Sequence, residues 1–227
     1  MVISIYKKAL GVCLKKPIRL WGISLLSSLI SFLIMILFGI IPGVSLGLTL
    51  VLSVSMTMIY LRGYRGETPN TADLFYNFAD GKRFLRVLGG MAWNELWIVI
   101  FALIPIAGPI IAIVKSYEYS LAPYILTLEP NVKPTEAIKV SKQRTKGFKG
   151  KMFLADLLVY VAFFVVELVL GLLAMIPFIG VLFRLVLFLV YICYIVLLPL
   201  FLGLVHAAFY EEIMKTVNGT QEAPAAE

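Results

Sequence analysis

From Leu20 to Leu61 the chain carries no charged side chain. A bilayer core takes about 20 apolar residues per helical span, so this run holds two. Ile40-Ile41-Pro42-Gly43 divides them. Proline lacks an amide proton and glycine accepts turn geometry, so the pair ends one helix and reverses the chain. The same kind of phrase recurs at Leu103–Gly108 (LIPIAG) and Met175–Gly180 (MIPFIG), each inside a long apolar stretch. With these turns as punctuation the pattern predicts spans at about 20–41, 44–61, 87–104, 109–128, 153–176 and 181–205. The expected fold is all-α, a polytopic membrane bundle of six transmembrane helices in three hairpins, formed by a single domain over 1–217.

The polar positions give this bundle an orientation. Every Lys and Arg except Lys115 and Arg184 falls before the first span, in the two segments between hairpins, or after the last span. The positive-inside rule makes that side cytoplasmic, with both termini inside and the three proline turns outside. Basic residues before an apolar run also begin a signal peptide, but this run is too long and lacks an Ala-x-Ala-like cleavage site, so a retained span is expected. In the first segment Ser4, Lys8, Gly11 and Lys15 recur on one helical face and Val2, Ile5, Tyr6, Ala9 and Cys13 on the other, which predicts an amphipathic interfacial helix. A second short helix is expected over 71–78, and a third capped by Thr135 and running to about Lys146. Lys8, Lys15, Lys139, Lys142 and Lys146 are the expected contacts to anionic lipid head groups. Residues 218–227 are expected to form a disordered cytoplasmic tail.

Composition agrees with a lipid environment. Of the 227 residues 61% are hydrophobic and only 15% charged, outside the range of a soluble domain. The net charge of +7 follows from the basic inner side, and the most basic segment, Lys133 to Lys151, has only Phe148 as an aromatic. A nucleic-acid surface is therefore not expected. Cys13 and Cys193 stand too far apart in depth for a disulfide.

Shifting the chain by 72 residues lays the third span on the fifth, and Glu95, Leu96, Ala102, Ile104, Pro105 and Gly108 match Glu167, Leu168, Ala174, Ile176, Pro177 and Gly180. This predicts an internal repeat. Glu95 and Glu167 each precede the turn proline by ten residues, which at 1.5 Å per residue puts them roughly 15 Å from the outer boundary. Glu118 returns to the same level. A charge there costs at least about 2.5 to 3.5 kcal/mol on insertion scales. Two readings follow: a proton or cation relay or polar substrate site lined by Glu95, Glu118 and Glu167, or carboxyls that are protonated or paired to fix helix register. Lys115 can neutralise Glu118 from three residues away, and Arg184 is placed to reach Glu167 or head groups. Asp156 reads as an interfacial carboxylate near Lys149 and Lys151, and His206 as an inner-edge residue without a metal-ligand set. No P-loop, His-Glu-x-x-His or serine triad is spelled out, so neither a cofactor nor enzyme activity is expected.

The fourth span is the most polar. Pro123 frees the carbonyl of Tyr119 and predicts a kink that Ser116, Ser120 or water would satisfy; with Tyr117, Tyr119 and Tyr124 it forms either a packing kink or a gate and binding surface. The stretch Lys115-Ser116-Tyr117-Glu118-Tyr119-Ser120-Leu121-Ala122-Pro123-Tyr124-Ile125-Leu126, followed by Glu136-Ala137-Ile138-Lys139 and Lys146-Gly147-Phe148-Lys149, resembles the bacterial membrane family catalogued as domain of unknown function 975. The resemblance covers about 68–210 and departs at Glu118, where the family pattern has a small polar residue. It implies a multi-pass protein of the bacterial cytoplasmic membrane and carries no established activity.

Two functions fit these expectations. One is a non-enzymatic protein that binds or moves a small polar or amphipathic solute or ion through the bundle by way of midplane carboxylates. The other is a structural or accessory protein that shapes membrane, partners an envelope transporter or confers immunity to a membrane-active toxin. Its partners would be the bilayer and either a second copy of the chain or another membrane protein.

Overall fold

The computed structural model describes residues 1–15 and 17–222, with the backbone alone for 15, 17, 18, 196 and 220–222. Nine α-helices follow in the order α1 (Val2–Lys15), α2 (Pro17–Phe38), α3 (Pro42–Tyr64), α4 (Gly81–Ala102), α5 (Gly108–Glu118), α6 (Ala122–Leu128), α7 (Ala137–Arg144), α8 (Lys149–Leu173) and α9 (Gly180–Glu222). Short 3-10 turns at Thr71–Phe75 and Pro134–Glu136 complete the described residues, which contain no strand. Five helices, α2, α3, α4, α8 and α9, are long and apolar enough to cross a membrane. The protein is thus a multi-pass membrane protein.

The fourth predicted span is not one helix. It is divided into α5 and α6, of 11 and 7 residues, with Tyr119, Ser120 and Leu121 between them. At the C-terminal end, α9 continues to Glu222, so 218–222 of the expected tail are helical while 223–227 lie outside the described residues. The helix runs through Asn218-Gly219, a pair that commonly ends one. Thr135 falls within the 3-10 turn and does not cap α7, whose N-cap position is Glu136 with no side-chain bond.

Burial is uneven along the helices. The core lies next to the basic segments, where Leu20 and Ile23 of α2, much of Val51 to Leu61 of α3, Val87 and Met91 of α4, Ala122 and Tyr124 to Leu126 of α6, Met152 and Ala155 of α8, and much of Leu200 to Ile213 of α9 come together. Toward the three turns the helices cover one another little: none of 28–46 is buried, and in 95–117 only Gly108 is. Large side chains there, such as Phe32, Phe164 and Phe188, point away from the protein, and acyl chains are their natural partner.

The segments expected in the interface pack on this core. In α1, Ile5, Ala9 and Cys13 are buried, and the Tyr6 hydroxyl donates to the carbonyl of Ala155 on α8. Burial first, and the nearby Asp156 charge second, hold the Tyr6 phenol above its ordinary pKa. The apolar face predicted to enter lipid therefore serves the bundle, and a second stripe, Ile3, Leu10 and Leu14, remains exposed. Lys8 lies over the ring of Tyr64 at 4.6 Å, whereas Lys139, Lys142 and Lys146 are exposed. The side chain of Lys15 lies outside the described residues.

The second and third turns share their hydrogen bonds. Gly108 N–H donates to Ile104 and Gly180 N–H to Ile176, both at 2.8 Å, and Ala107 and Ile179 donate to Pro105 and Pro177 at 2.7 and 2.8 Å. A Cβ on Gly108 would stand 2.5 Å from the Ala102 carbonyl oxygen, and one on Gly180 2.3 Å from that of Ala174. Only glycine fits. Ile106 and Phe178 both take φ of 66°, a left-handed conformation that a β-branched residue adopts at a cost of about 1–3 kcal/mol. Ile106 is almost wholly exposed, so little packing opposes its replacement. Ile106→Asn is expected to raise stability by about 1 kcal/mol, seen as a higher Tm in detergent; a lower Tm would show that the turn is not strained.

Candidate functional site

The break in the fourth predicted span is held from outside its own helix. Ser141 on α7 donates its hydroxyl to the Glu118 carbonyl at 2.7 Å and accepts the Leu121 amide at 3.1 Å. Thr145 Oγ1 donates to the same Glu118 carbonyl at 3.2 Å. The Tyr119 carbonyl, freed by Pro123, is taken by the Ala122 amide at 2.9 Å. Ser116 and Ser120, expected to serve it, instead donate to the carbonyls of Ile113 and Tyr117. At the other end of α6, Arg86 donates to the carbonyls of Leu126 and Glu129 at 3.1 and 2.8 Å, and Arg144 closes on the Glu129 carboxylate. That carboxylate, chiefly by hydrogen bonding, raises the Arg144 pKa further. Orphan carbonyls near the break and at the C-terminal end of α6 are therefore matched by donors.

The three glutamates do not form one cluster. Glu118 is buried and ion-paired twice, to Lys115 at 2.7 Å and to Lys149 at 2.6 Å. Lys149 is the first residue of α8, so the second pair ties the end of α5 to the start of α8. Lys115 also lies 5.2 Å from the Phe101 ring and 5.9 Å from that of Tyr119, which is buried. Glu95 and Glu167 are half-buried and have no ion-pair or hydrogen-bond partner among the described residues. Arg184 is exposed and forms no ion pair with Glu167.

A different carboxylate faces a cavity. Asp156 on α8 accepts the Tyr117 hydroxyl at 2.8 Å and stands 3.0 Å from Nε2 of His206 on α9. It does not pair with Lys149 or Lys151, which are directed to Glu118 and to the Phe148 ring. As a carboxylate Asp156 only accepts, so Nε2 of His206 carries the hydrogen. These three side chains line a cavity of about 400 Å³ between α3, α5, α6, α8 and α9, with Thr57, Tyr60, Ser120 and Tyr124 among the other walls. The volume lies in the range of small-molecule sites. None of Glu95, Glu118 and Glu167 lines it.

Local sequence explains how each wall is placed. Met152, Ala155, Asp156 and Val159 form one buried stripe on α8, so Asp156 is carried into the bundle by its apolar neighbours. Gly203 lets α9 approach α3 closely enough for Tyr60 to reach the cavity, since a Cβ there would stand 2.2 Å from the Tyr60 ring. Tyr60 also lies 3.4 Å from the Ser24 hydroxyl. Tyr124 is fully buried, stacks on Tyr210 with ring centroids 4.3 Å apart, and its hydroxyl has no hydrogen-bond partner among the described residues.

Sequence reasoning placed Asp156 and His206 separately at the inner edge and did not pair them. A usable signal for burial was present: Met152, Ala155 and Val159 share the helical face of Asp156. Among the described residues no group of three or more His, Cys, Asp and Glu is arranged to hold a metal ion. What the arrangement offers is a hydrogen-bonded acid and imidazole beside a polar space within the membrane-embedded bundle. No protein-family model, curated protein or solved structure matches the chain.

Proposed function

We propose that this protein binds a small polar or amphipathic solute or ion in the Asp156 cavity and moves it across the bacterial cytoplasmic membrane, without covalent chemistry. The observation that carries this reading is that Asp156 and His206 stand together on the wall of a 400 Å³ space whose helices include α3, α8 and α9, each long and apolar enough to cross a membrane. Polar and ionisable groups at membrane depth are costly and face water-filled or substrate-binding spaces. Thr57, Ser116 and Ser120 add hydroxyls to the same walls. The basic segments place both termini in the cytoplasm by the positive-inside rule, and the resemblance to the domain of unknown function 975 agrees with that location. The 72-residue sequence repeat belongs to the same proposal: its two matching turns join α4 to α5 and α8 to α9. Wild-type protein in sealed vesicles should therefore support saturable flux of protons, ions or small solutes, and Asp156→Asn should remove most of it. Equal flux from the two proteins at equal folding would overturn the proposal.

A second reading rests on a separate observation. Lys139, Lys142 and Lys146 on and beside α7 are exposed, and so is the Ile3, Leu10 and Leu14 stripe of α1. Together they offer a basic and apolar surface to anionic lipid or to a membrane-protein partner, as an accessory protein requires. Charge reversal at the three lysines would then abolish function in cells while cavity variants were tolerated.

A further inference from the structure

Four tyrosines, Tyr60, Tyr117, Tyr124 and Tyr160, line the cavity beside Asp156, and no Lys or Arg among the described residues does. Asp156 is the one carboxylate among the described wall residues. An anion would be repelled there. A bare metal ion would lack ligands, since no second carboxylate faces the space and no metal-binding group of His, Cys, Asp and Glu is present among the described residues. A cation with an apolar surface meets what it needs, because aromatic rings attract such a cation through their quadrupole and a carboxylate supplies the counter-charge. The Tyr117 hydroxyl donates to Asp156 at 2.8 Å while its ring packs edge to face on Phe153, which fixes the ring beside the carboxylate.

We infer that the cavity takes an organic ammonium group, with Asp156 as counter-ion and the tyrosines as its cage. The assignment rests on the proposed solute site and names the class of solute. Two sources share that chemistry. One is a free small ammonium compound. The other is the head group of an amphiphile, because Tyr117 also lines an apolar groove of about 400 Å³ between α5 and α8, with Ile110, Ile113, Val114 and Phe153, along which an alkyl chain could lie.

The test is equilibrium dialysis of choline against the full chain in phosphatidylglycerol nanodiscs. Choline should bind saturably, and its neutral isostere 3,3-dimethylbutanol should bind at least about tenfold more weakly. Asp156→Asn should lower choline affinity by a similar factor. Tyr160 is exposed on α8, so its variants should fold: Tyr160→Phe should keep the affinity and Tyr160→Leu should lose several-fold. Repeating the titration in nanodiscs containing phosphatidylcholine separates the sources. Loss of choline binding there assigns the site to a lipid head group, and retained binding assigns it to the free compound. Equal binding of choline and its isostere to the wild type overturns the inference, as does undiminished choline binding by Asp156→Asn. Asp156-dependent flux without preference for ammonium would overturn it while leaving the proposed function standing. Choline binding without flux would uphold the site and remove transport.

Discussion

Glu118→Ala is expected to destabilise the folded protein by about 3 to 5 kcal/mol, the range for removing one partner of a buried ion pair. The carboxylate stands between Lys115 and Lys149, at 2.7 and 2.6 Å, and its side chain is only 8% exposed. Without it two ammonium groups face each other with no counter-charge. The lysines are 18% and 29% exposed, so water or lipid head groups can relieve part of the loss, which favours the lower end of the range. The backbone at the same residue is the acceptor for Ser141 and Thr145, so loosening it also frees α7 from the break between α5 and α6. Thermal unfolding in detergent reads the effect. Lys149→Met added to Glu118→Ala should recover part of it, because one of the two opposed charges is then gone. An unchanged Tm for Glu118→Ala would mean that the pair contributes nothing.

Gly203→Ala should act on both stability and the site. Its new methyl would stand 2.2 Å from the Tyr60 ring, and a rigid ring between two packed helices has no short movement that avoids it. Overpacking of this kind costs about 1–3 kcal/mol. Relief requires α3 and α9 to separate or Tyr60 to leave the cavity wall and its Ser24 contact. Gly90→Ala provides the contrast, since the atoms it meets are the Cδ methyls of Leu126, the flexible end of a side chain. Gly203→Ala should therefore lower ligand binding more than Gly90→Ala at equal Tm loss. Equal binding by the two variants would show that Tyr60 is not part of the site.

The membrane-spanning helices and their turns were legible because hydropathy and proline chemistry act locally. The charge-free run from 20 to 61 and the phrases LIPIAG and MIPFIG need no tertiary information. The division between α5 and α6 was only half legible. Pro123 announced a distortion, but its form depends on Ser141, a side chain 23 residues beyond the Glu118 carbonyl it binds. Glu95 and Glu167 attracted attention through their matching positions, whereas Asp156 and His206 are 50 residues apart and meet only because α8 and α9 are neighbours. Their pairing is a property of the packed hairpin. What could have been read is the apolar face around Asp156, which marks a buried carboxylate whatever its partner.

The central claim is that Asp156, and not the repeated glutamates, serves the solute. The direct measurement compares solute or ion flux in vesicles of equal protein content for wild type, Asp156→Asn, and the Glu95→Gln, Glu167→Gln double variant, each first matched for folding by Tm. The account predicts that Asp156→Asn loses most of the flux and that the double variant retains it. Flux retained by Asp156→Asn and lost in the double variant would contradict it.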